Sequence, residues 1–251
     1  MLYENQQDID SADFFKKRSF MKIYHYETIH STNAEAKKMI LDGTREGVIL
    51  SKRQTAGRGR LGRSFFSENG IFMSVIVSPE KISFDPGFLT SAIAAATCRA
   101  VTEMGFPVGI KWVNDLLLDG KKICGILTEA VSLGSETLAY VIGIGINVGQ
   151  SDFPEDIRDI ATSLPLDEKE KNDLFFRILG QINTILSEDK SSVLNYLKKK
   201  SVVLGQKIRF FGAKEGRGLA LDLDENGGLI VLTDENRQIT LTGGEISVRT
   251  K

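Results

Sequence analysis

Residues 55–78, "TAGRGRLGRSFFSENGIFMSVIVS", hold Gly57-x-Gly59-x-x-Gly62, the spacing of the dinucleotide-binding fingerprint, and the arginines Arg58, Arg60 and Arg63. The segment after this loop decides the fold. The fingerprint works only where a strand enters and a helix leaves, because the helix N-terminus receives the pyrophosphate. "GVILSKRQ" before the loop does read as a strand. After it, however, Asn69-Gly70 stands between apolar and β-branched segments, which is strand-and-turn chemistry rather than a helix start. No Lys-Ser or Lys-Thr closes the loop, so it is not a Walker motif either. A loop between two strands, with glycines for adaptability and guanidinium forks that match carboxylate or phosphate, is the remaining reading.

Bulk composition limits the partners of such a loop. The chain has 251 residues, 41% hydrophobic and 26% charged, which suits one large globular domain or a large and a small one. A formal net charge of -1 gives no global pull toward nucleic acid or an anionic membrane, so the basic loop fits a small anion better than a duplex. No apolar run approaches the ~20 residues that span a bilayer. The first residues, "MLYENQQDIDSADFFKKRSF", lack the uninterrupted apolar core of a signal peptide. Cys98 and Cys124 are too few and too separated for a zinc knuckle, and read as small buried side chains; His25 and His30 build no metal site alone. These features predict a cytoplasmic protein that binds no nucleic acid or membrane and has no metal-ligating cluster of its own.

Along the chain, strands are predicted at 22–29, at "EGVILSKRQ" and at "GIFMSVIVS", with a helix over "STNAEAKKMILDG" and an Ala-rich one over 87–105. "VGIKWVNDLLLDGKKICGILTEAV" reads as two strands joined at Asp119-Gly120, and a third strand, "LAYVIGIGINV", comes next. Residues 168–200 read as two helical stretches. Beyond residue 202 five short strands separated by Gly, Asn and Asp suggest a small barrel, and its balance of basic and acidic residues carries no nucleic-acid footprint. The expectation is an α/β (α+β) architecture: a tail, 1–21; a mixed β-sheet with packed helices, 22–201; and a β-barrel appendage, 202–251.

Three stretches carry chemistry. In "HSTNAEAKK", Thr32 and Glu35 have capping-box spacing, while Ser31, Thr32 and Asn33 also place polar groups at a helix N-terminus where a ligand could meet them. In "KWVNDLLLDGKKICGILTE", Asn114 and Asp115 interrupt a strand that disfavours them, and the hairpin brings them near Lys121 and Lys122. In "YVIGIGINV", Gly143 and Gly145 weaken a strand interior, a sign of close approach by a ligand or another backbone, and Asn147 ends it.

Taken together, "STN", "QTAGRGRLGR", "KWVNDL", "GKKICGIL", "GIGINV" and the final "GGEIS" resemble biotin–protein ligases in order and spacing, over roughly residues 22 to 250. Val113 departs from the Pro common there. The resemblance implies a class II synthetase-like catalytic domain with an SH3-like C-terminal barrel. It implies the ligase-only form, since the stretch before the first strand is too short for a helix-turn-helix domain. The implied reaction is ATP-dependent attachment of biotin to a lysine of a biotin carboxyl carrier protein domain through biotinyl-5'-adenylate, with Mg2+ accompanying ATP, and a homodimer left open. By the same resemblance Lys122, Arg60 and Asp115 are catalytic. Ser31, Thr32, Asn33, Gln54, Gly57, Arg58, Arg60, Lys122, Gly125, Leu127, Gly143 and Gly145 would bind biotin. Arg58, Arg60, Phe65, Asn114, Lys122 and Asn147 would bind the nucleotide. A lipoate–protein ligase-like adenylating enzyme and a non-catalytic biotin or nucleotide sensor are the alternatives.

Overall fold

The segment after the glycine-arginine loop is a strand. The computed structural model describes residues 22–150 and 152–248; the tail, 1–21, lies outside the described residues. The large sheet is formed by β1 (Ile23–Ile29), β2 (Gly47–Gln54), β3 (Gly70–Val77), β4 (Gly109–Lys111), β5 (Asp115–Leu118), β6 (Lys121–Leu133) and β7 (Glu136–Asn147). Its seven strands run in the order β1-β2-β3-β7-β6-β5-β4. Only β1 and β2 are parallel, joined by the crossover helix α1 (Thr32–Leu41); the other pairings are antiparallel, so the sheet is mixed.

Alternation along the strands gives the sheet two different faces. Ile71, Met73, Val75, Ile142, Ile144, Ile146, Cys124 and Ile126 enter one apolar core with α2 (Leu89–Glu103) and α3 (Glu168–Ile185). On the opposite face Ile49, Ile76, Val131, Ala139 and Val141 pack under Ala36 and Ile40 of α1. The strands continue past this small cluster through Phe72, Ser74, Gly143, Gly145, Gly125 and Leu127, where Ser74 faces Gly143, Phe72 faces Gly145 and Gly125 faces Gly145. With glycines in place of side chains, the sheet surface drops into a hollow beside α1.

The structure corrects two local expectations. Residues 109–133 form three strands rather than two: β4 folds back at Trp112–Asn114 so that Lys111 lies opposite Asp115. The break has a side-chain cause. The Trp112 indole turns into the interior, 7% exposed, and donates to the Gly227 carbonyl at 2.9 Å. Asn114 then exchanges bonds with Ile126, donating from its side chain and accepting with its main-chain carbonyl, each at 3.0 Å. The capping box over Thr32 and Glu35 also does not form. Ser31 caps α1, accepting from the Ala34 amide, because the Gln54 carboxamide takes both the Thr32 amide, at 2.8 Å, and its hydroxyl, at 3.1 Å.

After α3 and α4 (Lys190–Lys200) the chain forms a second sheet: β8 (Lys207–Phe211), β9 (Gly216–Leu223), β10 (Leu229–Thr233), β11 (Gln238–Leu241) and β12 (Glu245–Val248). This smaller domain is antiparallel, ordered β11-β10-β9-β8-β12 with β11 and β12 at its edges. Ile208, Phe210, Ala220, Leu229 and Val231 share the core that α2 occupies. Gly227 sits at the junction with φ +77°, and a Cβ there would meet the Phe88 ring at 2.9 Å. Both the left-handed backbone and the close approach therefore require glycine.

Candidate active site

The hollow beside α1 gathers residues from several separate pieces of chain. Ser31, Thr32 and Asn33 at the start of α1, Gln54 at the end of β2, and Arg58, Arg60 and Phe65 of the loop line it. Asn114 of the β4–β5 turn, Lys122, Gly125 and Leu127 of β6, and Gly143 and Gly145 of β7 complete the wall. Three expected site residues stand just outside. Gly57 supports the loop, where a Cβ would press on Ser67 Oγ at 2.5 Å and on the Phe65 carbonyl at 2.6 Å. Asp115 touches the lining residue Lys122. Asn147, opposite Gly70 at the end of β7, donates to the Thr162 carbonyl at 3.0 Å.

The loop is a small closed hairpin. Phe65 N–H donates to Gly57 O at 2.9 Å, Gly59 N–H donates to Arg63 O at 2.7 Å, and Arg60–Gly62 make one 3-10 turn at the tip. Arg60 reaches inward and donates to Asn114 Oδ1 at 3.2 Å, whereas Arg63 reaches outward to pair with Glu245 on β12. Burial pulls the Arg60 guanidinium pKa below its ordinary value, opposed by Asp115 and Glu245. A guanidinium stays charged through any such shift, so Arg60 brings a partly desolvated fixed positive charge to the hollow.

At the same end Lys122 Nζ lies 2.7 Å from Asp115 Oδ1 and 5.8 Å from the centre of the Phe65 ring. The Asp115 oxygen is buried and, apart from this ion contact, receives no aligned hydrogen bond. A buried carboxylate oxygen with spare acceptor capacity is costly unless something else donates to it. The Phe65 ring covers the glycine floor: a Cβ on Gly125 would meet it at 3.0 Å and one on Gly145 at 2.6 Å. The paired glycines thus make room for the Phe65 ring against the sheet.

At the other end the polar groups form a continuous chain. Gln54 donates to Ser67 Oγ at 3.1 Å and accepts from Thr32. Ser74 Oγ lies 2.8 Å from Thr32 Oγ1 and 2.6 Å from Asn33 Oδ1. Asn33 Nδ2 in turn donates to Glu129 at 2.8 Å, and Lys37 closes the chain on Glu129 at 2.6 Å. The hollow therefore has a hydrogen-bonding end and a cationic end, which suits an elongated ligand with a polar head and an anionic tail.

Sequence reasoning missed three parts of this arrangement. Ser74 is the one polar residue within the apolar run of β3 and is fully buried, a signal open to reading. Glu129 and Lys37, ninety-two positions apart, meet only through the fold. Residues 160–164, between β7 and α3, form a strap: Lys122 N–H donates to Ile160 O at 2.8 Å, and Thr162 N–H donates back to Lys122 O at 2.9 Å. The strap carries no hydrophobic period, so nothing in its sequence announces it. Both cysteines are free and buried, and burial pushes the Cys124 thiol far up. Among the described residues no group of three or more His, Cys, Asp or Glu could hold a metal ion, and no helix is long and apolar enough to cross a membrane.

Comparison with known proteins converges on one group. The biotin/lipoate A/B protein ligase family model matches residues 26–147, and that of the biotin protein ligase C-terminal domain matches 203–249. A biotin–[acetyl-CoA-carboxylase] ligase of Paracoccus denitrificans is 30% identical over 227 residues, covering 83% of this chain and 93% of that protein. The bifunctional ligase/repressor BirA of Bacillus subtilis is 40% identical over 157 residues, 60% of this chain but only 48% of the relative's length. The chain thus spans about half the length of that relative. Among solved structures, the biotin protein ligase of Aquifex aeolicus in complex with biotin and ATP superposes with a TM-score of 0.78 at 27% identity, covering 92% of this chain and all of that one.

Proposed function

Because the chain belongs to the biotin–protein ligase family, we propose that it activates biotin with ATP and transfers the biotinyl group to a lysine of a carrier domain. The observation that carries this reading is the two-ended hollow, with hydrogen-bonding groups around Thr32 and cations Lys122 and Arg60 at the far end, over a floor of glycines. In the first step a biotin carboxylate oxygen attacks the α-phosphorus and pyrophosphate leaves. Both reactants are anions, so preorganised positive charge is what lowers the barrier. Lys122 is the cation at the point of attack. Arg58 and Arg60 hold the anionic intermediate and keep water from the labile anhydride. In the second step the carrier amine attacks the anhydride carbonyl, a proton leaves the amine, and AMP departs with the electron pair. Asp115, paired with Lys122, receives that proton or orients the amine, which is otherwise protonated near neutral pH.

Ser31, Thr32 and Gln54 bind the fused ring of biotin, with Asn33 behind them, and Gly57, Gly125, Leu127, Gly143 and Gly145 shape its slot. Phe65, Asn114 and Asn147 serve the nucleotide. ATP would bring Mg2+ as its counter-ion, which would offset phosphate charge. The donor set of the hollow, cationic and amide-rich, fits a metal carried by phosphates rather than held by the chain. We assign catalysis to residues 22–201, in a class II synthetase-like fold, and read 202–251 as an SH3-like barrel. The match of that region to the biotin protein ligase C-terminal domain supports biotin over lipoate. The carrier domain is a partner, and the cytoplasm the compartment, in this reading. Pyrophosphate–ATP isotope exchange tests it: exchange should require biotin and ignore lipoate. Exchange driven by lipoate alone, or by neither, overturns it.

A further inference from the structure

Glu129 has no part in the reaction just described, yet its carboxylate ends the hydrogen-bonded chain that lines the polar end of the hollow. We infer that Glu129 is a positioning residue that fixes, through Asn33 and Ser74, which way Thr32 presents its hydroxyl to the head of the ligand. This rests on the assignment of that end to biotin.

The argument is one of donor and acceptor capacity. An ionised carboxylate only accepts, and the Lys37 ammonium at 2.6 Å is the cation that pairs with it. Asn33 must therefore turn its NH2 toward Glu129, at 2.8 Å, with the Leu127 carbonyl at 3.4 Å as a second acceptor. That leaves Asn33 Oδ1 facing Ser74 Oγ at 2.6 Å, so the single Ser74 proton is drawn to Asn33. Ser74 Oγ is also placed to donate to Thr32 Oγ1, 2.8 Å away, so Asn33 and Thr32 compete for that one proton. Gln54 Oε1 on the other side accepts from both the Thr32 amide and the Thr32 hydroxyl. With its own proton on Gln54 and the Ser74 proton on Asn33, Thr32 keeps lone pairs free for the head of the ligand. Burial restricts the alternatives, since Ser74 is 0%, Thr32 3% and Asn33 7% exposed. Gly143 belongs to the same device: a Cβ there would overlap the Asn33 amide and force it off β7.

A glutamine at 129 keeps shape but can donate or accept, which frees Asn33 to flip and Ser74 to reverse. Glu129→Gln is therefore expected to weaken biotin binding about tenfold, the scale of one well-formed hydrogen bond, with kcat and the KM for ATP within about twofold of wild type. Preference should change as well. 2-Iminobiotin presents a guanidine where biotin has a urea, so the ratio of its affinity to that of biotin should shift in the variant. Glu129→Asp should recover part of the loss, and Ser74→Ala, which cuts the chain one link further on, should reproduce it. Calorimetric titration with each ligand, beside circular dichroism to verify folding, reads all of this. Wild-type affinities and an unchanged ratio in a folded Glu129→Gln overturn the inference, as does equal loss toward biotin and ATP. A wild type that binds no biotin would instead remove the functional reading beneath it.

Discussion

Lys122 is held more firmly than a side chain at a hairpin end needs to be. Its peptide is bonded to the strap at Ile160 and Thr162, and its ammonium rests against Asp115. Such preorganisation is what an electrostatic catalyst requires, because a charge already in place needs no reorientation during the reaction. Replacing Lys122 by alanine should slow adenylate formation by about 10²–10³, the usual effect of removing one preorganised charge. Rapid-quench measurement of the first half-reaction checks this, and a wild-type rate would strip Lys122 of its role. Gly145 offers a second test of geometry. An alanine Cβ would lie 2.6 Å from Phe65, so the ring must leave the glycine floor. Gly145→Ala is expected to raise the KM for ATP roughly tenfold through loss of an aromatic contact, with thermal stability nearly unchanged. If the KM for ATP stays put, Phe65 does not serve the nucleotide.

At the scale of elements, the glycine-arginine hairpin is tied down at one arginine and free to act with another. Arg63 anchors it to Glu245, while Arg60 points into the hollow toward Asn114. Arg60→Gly should therefore loosen retention of the intermediate more than it slows its formation. A charge-assisted contact of this kind corresponds to about ten- to a hundredfold in escape. Escaped biotinyl-adenylate acylates amines without selection, so the variant should label an unrelated lysine-rich protein that wild type leaves alone. Adenylation without bystander labelling would show that the latch lies elsewhere. The elements that carry this site were largely legible in the sequence, because each has its own local signal: apolar and β-branched runs in β2, β3 and β7, an Ala-rich apolar stretch in α2, and Asp119-Gly120 for the β5–β6 turn. The break at Trp112–Asn114 was not. Asn114 and Asp115 mark an interruption but Trp112 and Val113 give no turn signal, and the partner that holds the break, a carbonyl at Gly227, lies far along the chain. The cap of α1 escapes local reading for the same reason. Thr32 has ideal local spacing to Glu35, but Gln54, brought in by the parallel pairing of β1 and β2, competes for it. Glu129 and the strap likewise acquire meaning only from long-range contacts.

On the scale of the whole molecule, the smaller domain is tied to the larger one at several points, one of them on the glycine-arginine loop. Val202 N–H donates to Ile110 O at 3.0 Å, Lys198 pairs with Asp222 at 2.7 Å, and Arg63 pairs with Glu245. One close contact of the joint is the approach of Gly227 to Phe88. Gly227→Ala places a Cβ both at φ +77° and 2.9 Å from that ring, so it should destabilise the protein by about 1–3 kcal/mol and lower its melting temperature. Scanning calorimetry tests this; an unchanged melting temperature would mean that the joint tolerates displacement. The neighbouring Trp112 makes the state of the joint visible. It is the single tryptophan of the chain, 7% exposed, and its indole is bonded across the junction to Gly227. The protein thus carries its own fluorophore at the seam. Excited selectively, that indole should emit toward the blue while the two sheets are together and shift to the red if they part, giving an optical record of domain separation that needs no added label.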